Sequence, residues 1–441
     1  MHVGALMPFS PAPHARDFQR ELIDELRRDL VVQRPWNLKL RHPEMLTSPV
    51  QTWIEDTSFD LDYHIRRSAL PSPGDERELG ILVSRLHSNP IDFHRPPWEA
   101  HFIEGLERGR FAMYFKVHHA FMDGFTGSRI LTRSLSSDPN DTETPLFFER
   151  PPAVDTRVHA DEDHAPTLDS LLHALRDQLG DVRGVGKALL NVARASRRHD
   201  ESLVAPMQAP KSVLNQRISK NRRFATQSYD MERVKRVAKA SQGTLNDVVL
   251  LLVSSSLRRF LSEQQTLPSH ALTAMIPVNV RPKDDPGGGN AVGAVLASLA
   301  TDVADPVERL RTIIASTTRA KEQLQGMSKN AMMQYSALLL APMGLSLVPG
   351  AIGRVRPAFN VVVSNVPGPE KALYFRGWKL EGVFPVSIPF HGYALNITVQ
   401  SYDGTLNFGF TGCREALPHL QRLAVYSGEA LEEIERAMGA I

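Results

Sequence analysis

The chain has 441 residues, 42% of them hydrophobic, which is more than one ordinary core holds and predicts two domains of roughly 200 residues each. Charged residues make up 23% and the formal net charge is only +2, so no nucleic-acid partner is expected. Cys413 is the only cysteine, which excludes an intramolecular disulfide and fits a reducing cytoplasm.

The opening MHVGALMPFSPAPHARD has no charged stretch followed by a long apolar run, so no signal peptide is expected. Phe18, Leu22, Leu26 and Leu30 recur at helical spacing and predict an amphipathic helix over 14–31. A second helix is predicted over 75–87, with Asp75 as N-cap and Pro90 just beyond its end. Residues 110–117 alternate and are rich in aromatics, which predicts a strand delivering His118 and His119 at its C-terminal edge. Prolines and acidic residues with little periodicity over 139–166 predict a surface linker, followed by an Arg-rich helical stretch over 168–198.

Thr244 opens a predicted buried helix over 244–262. Strands are predicted over 271–280, 292–301 and 358–364. Between the last two lies a helix over 306–324, with Asp305 as N-cap and Pro306 in its first turn. SYDGT separates strands over 394–401 and 405–411, an Asp-Gly hairpin signal. A helix over 417–438 closes the chain. The charge-free run 330–353 is long enough for a membrane span, but Pro342, Gly344, Pro349, Gly350 and Gly353 interrupt it. A buried or interfacial helix followed by a turn is expected there instead. The fold class is α+β: a domain over 1–138, a linker and crossover helix over 139–210, and a second domain over 211–441. There is no short-period repeat.

The stretch FKVHHAFMDGFTG, 115–127, carries the chemistry. Zinc needs three or four convergent ligands, whereas adjacent strand residues point to opposite faces, so no metal is expected at His118 and His119. A single histidine, with an ordinary pKa near 6.5, is suited to take a proton near neutrality. Gly124 permits a tight turn that folds Asp123 back behind the pair. Asp123 would then hold the loop against a cation, for which Arg281 in PVNVRP, from the other half, is the candidate. A core histidine pair with Asp123 capping a local turn stays open beside this reading. The sequence has no G-x-S-x-G elbow, and Cys413 reads as inert packing. A covalent acyl-enzyme is not indicated, and a thioester would be attacked directly by an alcohol. Gly287–Gly289 lie in an acidic context and read as a loop, not a phosphate cradle.

Six segments in order carry a resemblance: NPIDFHRPPWE (89–99), HHAFMDG (118–124), TLNDVVL (244–250), PVNVRP (277–282), SNVPGP (364–369) and LNITVQSYDGTLNFGF (395–410). On these the chain resembles the bacterial wax ester synthase/diacylglycerol acyltransferase family, CoA-dependent acyltransferases with the chloramphenicol-acetyltransferase-like fold. The resemblance implies two mixed α/β domains with the active site at their interface. It implies that His119 is the general base for a long-chain fatty alcohol or diacylglycerol attacking the thioester of acyl-CoA, a substrate, with no cofactor. His118, Asp123 and Gly124 complete that motif, Asp123 being structural and paired with Arg281. Asn279 and Asn246 are left between oxyanion binding and site shaping, with Asp247 and Trp98 also shaping the site.

Pro97 departs from the family's Pro-Leu-Trp, and members usually carry more residues before MHVG, so a leading element is expected to be missing. Residues 330–353 and 245–261 would line an acyl tunnel or form plain core. Lys211, Arg217, Lys220, Arg222 and Arg223 would contact CoA phosphates or form a solvated face. The expected location is cytoplasmic, with peripheral contact to the inner membrane or lipid droplets through the Arg-rich helix near 176–198. Two other readings compete: a condensation-type acyltransferase using carrier-protein thioesters, and a non-catalytic lipid-binding homologue.

Overall fold

The computed structural model describes residues 2–11, 18–28, 31–45, 52–121, 127, 130, 132–149, 208–279, 292–325 and 356–440. The first half contributes β1 (His2–Ser10), α1 (Phe18–Arg28), β2 (Leu38–Leu40), β3 (Trp53–Glu55), α2 (Leu61–His64), β4 (Ile65–Ala69), α3 (Glu76–Ser88), β5 (Trp98–Glu104) and β6 (Phe111–His118). The second half contributes β7 (Arg222–Asp230), α4 (Met231–Ala240), α5 (Leu245–Glu263), β8 (Thr273–Asn279), β9 (Val292–Ser298), α6 (Pro306–Gln325) and β10 (Val361–Val366). It continues with β11 (Tyr374–Phe375), β12 (Trp378–Leu380), β13 (Phe384–Val386), β14 (Leu395–Tyr402), β15 (Thr405–Cys413) and α7 (Gln421–Met438).

Two mixed sheets result. The first runs β11-β12-β1-β6-β5-β4, with β13 also paired to β1, and the second runs β7-β15-β14-β10-β8-β9. Strands β11–β13 lie late in the chain, yet they complete the first sheet: Phe9 pairs with Leu380 and Gly4 with Val386. β6 is central and antiparallel to both neighbours, with His2 opposite His118 and Trp98 opposite Val117. Its alternate side chains feed two cores. Phe111, Met113, Phe115 and Val117 join an aromatic cluster with Trp36, Trp98 and Phe147, while Ala112 and Tyr114 pack with the leucines of α3.

Local signals explain the helix starts. The Asp75 side chain accepts from the Glu78 N–H at 2.9 Å, and Asp305 accepts from the Glu308 N–H at 2.8 Å. Thr244 and Asp247 form a capping box at the start of α5. Asp403 and Gly404 both adopt positive φ, 41° and 76°, and make the two-residue turn between β14 and β15.

The expected surface linker over 139–166 is corrected at its start. Leu146, Phe147 and Phe148 are buried, with the Phe147 ring 4.7 Å from Trp36 and 4.8 Å from Phe115. The Phe148 carbonyl accepts from the Gln33 N–H at 2.8 Å. An apolar triplet buries enough area to override a polar, proline-rich context. The expected helix over 168–198 and the charge-free run 330–353 lie outside the described residues. Replacing Phe147 by alanine should cost about 3–5 kcal/mol of stability, read by urea denaturation, because the aromatic cluster cannot collapse around the void. A loss under about 1 kcal/mol would contradict this packing.

Candidate active site

The two histidines leave the sheet where β6 ends. The His118 N–H donates to the Pro97 carbonyl at 2.9 Å, and the Phe121 N–H donates back to the His118 carbonyl at 2.9 Å. The Pro-Pro-Trp segment thus fastens the end of the strand. Only the Pro97 carbonyl is used in that contact, so a proline, lacking an N–H, serves it as well as a leucine. Next door, Trp98 is fully buried, its indole N–H donating to the Trp36 carbonyl at 2.8 Å. Phe121 sets its ring 5.7 Å from Trp36 and 5.5 Å from Trp53, which gives the turn an apolar footing.

The two imidazoles differ in what surrounds them. His118 is half-buried, with Phe93 against its ring at 4.7 Å, and its Nδ1 accepts from the Ala120 N–H at 3.2 Å. Burial pushes its pKa down to about 3. It is therefore neutral near pH 7, in agreement with its role as acceptor. His119, also half-buried, begins the turn.

Behind His118 lies a polar cluster that the sequence reading did not single out. Lys116 is fully buried on β6. Its Nζ donates to Glu99 Oε2 at 3.1 Å and to the carbonyls of Leu86 and Asn89 at 3.3 and 3.2 Å. Glu99 Oε2 also faces His101 Nε2 at 3.3 Å and an Arg66 nitrogen at 3.8 Å. Burial opposes ionisation of Glu99, but the His101 hydrogen bond and the charges of Lys116 and Arg66 outweigh it and hold the carboxyl down to about 2. Burial pushes Lys116 below its usual range against the attraction of Glu99. Three acceptors around Nζ hold the group as an ammonium. The His87 Nε2–H donates to the Ser387 carbonyl at 3.0 Å, and its Nδ1 accepts from the Tyr114 hydroxyl at 2.7 Å. His2 donates from Nε2 to the His87 carbonyl at 2.8 Å. The signal that could have found this cluster is a lysine inside the apolar run FAMYFKVHH.

The remaining site candidates divide. Asp123, Gly124 and Arg281 lie outside the described residues. The Asn279 backbone pairs with Val292 at the end of β8. Asn246 is half-buried in the first turn of α5. Asp247 is buried and committed to structure, one oxygen accepting from the Thr244 backbone and hydroxyl at 2.7 Å, the other from the Thr317 hydroxyl at 2.6 Å. Of the basic cluster, Lys211, Arg217 and Lys220 are exposed, whereas Arg222 and Arg223 are half-buried at the start of β7. Arg222 Nη1 is turned toward the carbonyls of Ser219 and Asn221. Cys413 is buried at the end of β15. Among the described residues, no group of three or more His, Cys, Asp or Glu side chains is placed to hold a metal ion.

Two mixed sheets, with a His-His pair at the end of a buried strand and strands exchanged from the second half, define a two-domain acyltransferase fold. Residues 1–249 match the wax ester synthase/diacylglycerol acyltransferase catalytic domain, and residues 288–435 match the C-terminal domain of the same family. The chain belongs to this family and is an O-acyltransferase. It is 52% identical over 477 aligned positions to a Mycobacterium tuberculosis protein named as a diacylglycerol O-acyltransferase, covering all of this chain and 94% of that one. It is 38% identical over 439 positions to the O-acyltransferase WSD of Acinetobacter baylyi, covering 99% of this chain and 93% of that one. The structure of the wax ester synthase/diacylglycerol acyltransferase from Marinobacter aquaeolei VT8 superposes with a TM-score of 0.78 at 36% identity, covering 100% of this chain and 95% of that one. A condensation domain of the calcium-dependent antibiotic synthetase, 15% identical with a TM-score of 0.56 over 99% of this chain and 91% of that one, shares the fold.

The Glu99 shift sets a pH dependence. A carboxyl held at about 2 when folded, against an ordinary 4.5, contributes stability that is complete above pH 4.5 and lost as pH falls toward 2. Thermal melts from pH 6 to pH 2.5 should show a steeper acid loss in the parent than in Glu99→Gln, by on the order of 2 kcal/mol across that window. Parallel curves would show that Glu99 titrates normally.

Proposed function

We propose that this acyltransferase moves a long acyl chain from acyl-CoA to the hydroxyl of a long-chain fatty alcohol or diacylglycerol, giving a wax ester or triacylglycerol. His119 is the general base. Its imidazole takes the hydroxyl proton as the oxygen attacks the thioester carbonyl. The new C–O bond forms, the C–S bond breaks, and the proton leaves with the CoA thiol. The observation that carries this reading is a family His-His-x-x-x-Asp-Gly motif whose first histidine is already engaged. His118, burial-shifted to about 3 and already accepting an N–H, has too little proton affinity to serve near neutrality. That leaves His119 as the base.

In this reading Asp123 and Gly124 shape the loop and Arg281 pairs with Asp123 across the two halves, an ion pair whose value is geometric. Asn279, at the end of β8, and Asn246, in the first turn of α5, sit in matched motifs and are candidates for oxyanion stabilisation. The anionic end of acyl-CoA is assigned to Arg217, Lys220, Arg222 and Arg223. In support, no carboxylate partner of Arg217 or Lys220 is found among the described residues, and Arg222 lies within electrostatic reach of His2 and His87 beside the strand end.

The test is release of CoA thiol from palmitoyl-CoA and hexadecanol. His119→Ala should lose on the order of 100- to 10,000-fold in rate while remaining folded. Parental turnover in that variant would remove His119 as base. Turnover of a carrier-protein thioester in place of free acyl-CoA would instead favour a condensation-type donor.

Membrane contact is the second part of the proposal. No described helix is long and apolar enough to cross a bilayer, and the contact proposed with a membrane or lipid droplet is a peripheral one. Co-sedimentation with phosphatidylserine vesicles is expected at low salt and should weaken as salt rises. Failure to sediment at low salt would count against it.

A further inference from the structure

A fully buried lysine needs a reason, because an apolar side chain of similar volume in its place is often at least as stabilising. Lys116 lies two residues before His118, on the face of the sheet that α3 covers. Its three N–H donors meet three acceptors: Glu99 Oε2 and the Leu86 and Asn89 carbonyls. Those two carbonyls belong to the C-terminal end of α3, where the helix dipole favours a cation. Glu99 is the residue directly opposite Lys116 on β5. The ammonium therefore ties β6, β5 and the end of α3 at one point. Tyr114, the next residue along the same face, adds a second tie through its hydroxyl to His87. Gly4 makes room for it: a Cβ at that position would come within 3.1 Å of the Tyr114 ring.

The other side of α3 is fastened to the second half of the protein. Ser84 Oγ accepts from the Phe224 N–H at 2.9 Å, and Ser88 Oγ accepts from the Arg222 N–H at 2.8 Å, both on β7. His87 donates to the Ser387 carbonyl. One helix thus refers the end of the histidine-bearing strand to the edge of the second sheet.

We propose that Lys116 and Glu99 are positioning residues that act through α3. They set the height at which His119 leaves the first sheet relative to the half of the active site carried by the second. The inference rests on His119 as the base. Fixed geometry is the contribution, and displacement of the order of an ångström reduces turnover without removing substrate contacts.

The pair can be removed without leaving a buried charge uncompensated, because Arg66, the other cation facing Glu99, reaches solvent. The double variant Glu99→Met, Lys116→Met should melt near the parent temperature, because the buried ions are exchanged for apolar volume. Its kcat with palmitoyl-CoA and hexadecanol should fall on the order of 10- to 100-fold, while both KM values stay within about twofold. A folded double variant with parental kcat overturns the proposal. If the double variant does not fold, Ser88→Ala decides, since it loosens the far end of the strut and leaves Lys116 and Glu99 in place. A several-fold loss of kcat at unchanged KM supports the proposal, and parental kcat in Ser88→Ala overturns it. His119→Ala is measured alongside. If it keeps activity, the assignment of the base is wrong. If it is inactive while the other variants turn over normally, only the positioning role is wrong.

Discussion

The register of β6 is the constraint on which the rest depends. The strand is hydrogen-bonded on both edges, to β1 and β5, and buried on both faces. A slip of one residue would send Lys116 into the cluster of Trp36, Trp98, Phe115 and Phe147 and bring Val117 out beneath the end of α3. An uncompensated ammonium among aromatic rings costs several kcal/mol, so the slipped register is excluded. The lysine that is expensive to bury is also what makes one alignment far better than its neighbours. His118 and His119 inherit their location from that choice.

The different positions of the two histidines follow from the same strand. His118 ends the ladder, shares its face with His2 and Lys116, and is desolvated there. His119 stands one step further on, past the last paired residue and in the turn closed by the Phe121 N–H. Family membership and a shared fold with the Marinobacter enzyme show O-acyl transfer, and the proposed direct attack draws on the placement of these two rings.

Much of this was legible in the sequence where the determinant is local. Asp75, Thr244 and Asp305 announced their helices because a cap acts within three residues, and Asp403-Gly404 announced its turn because only two residues need positive φ. The edge of β6 and its histidines were visible from alternation alone. What escaped notice depends on partners far away along the chain. Lys116 reads as a surface charge until the end of α3 is laid over it, and His87 meets Ser387 across 300 positions. Strands β11–β13 are too short to have a pattern and exist because β1 offers them an edge. Leu146–Phe148 hid in a proline-rich context that suggested solvent. The motif marked Asp247 as structural or site-shaping, but its partner Thr317, 70 positions on, could not be read from it.

The exchange of β11–β13 into the first sheet has a consequence for how the polypeptide is made. Until residue 386 has left the ribosome, the outer edge of β1 has no strand to pair with, although everything else in its sheet has long been synthesised. An open, apolar edge of this kind invites pairing with other chains. The first sheet is therefore completed only once the second half has been made. A ribosome stalled midway, or a gene split between the two sheets, would yield an adhesive fragment instead of half an enzyme.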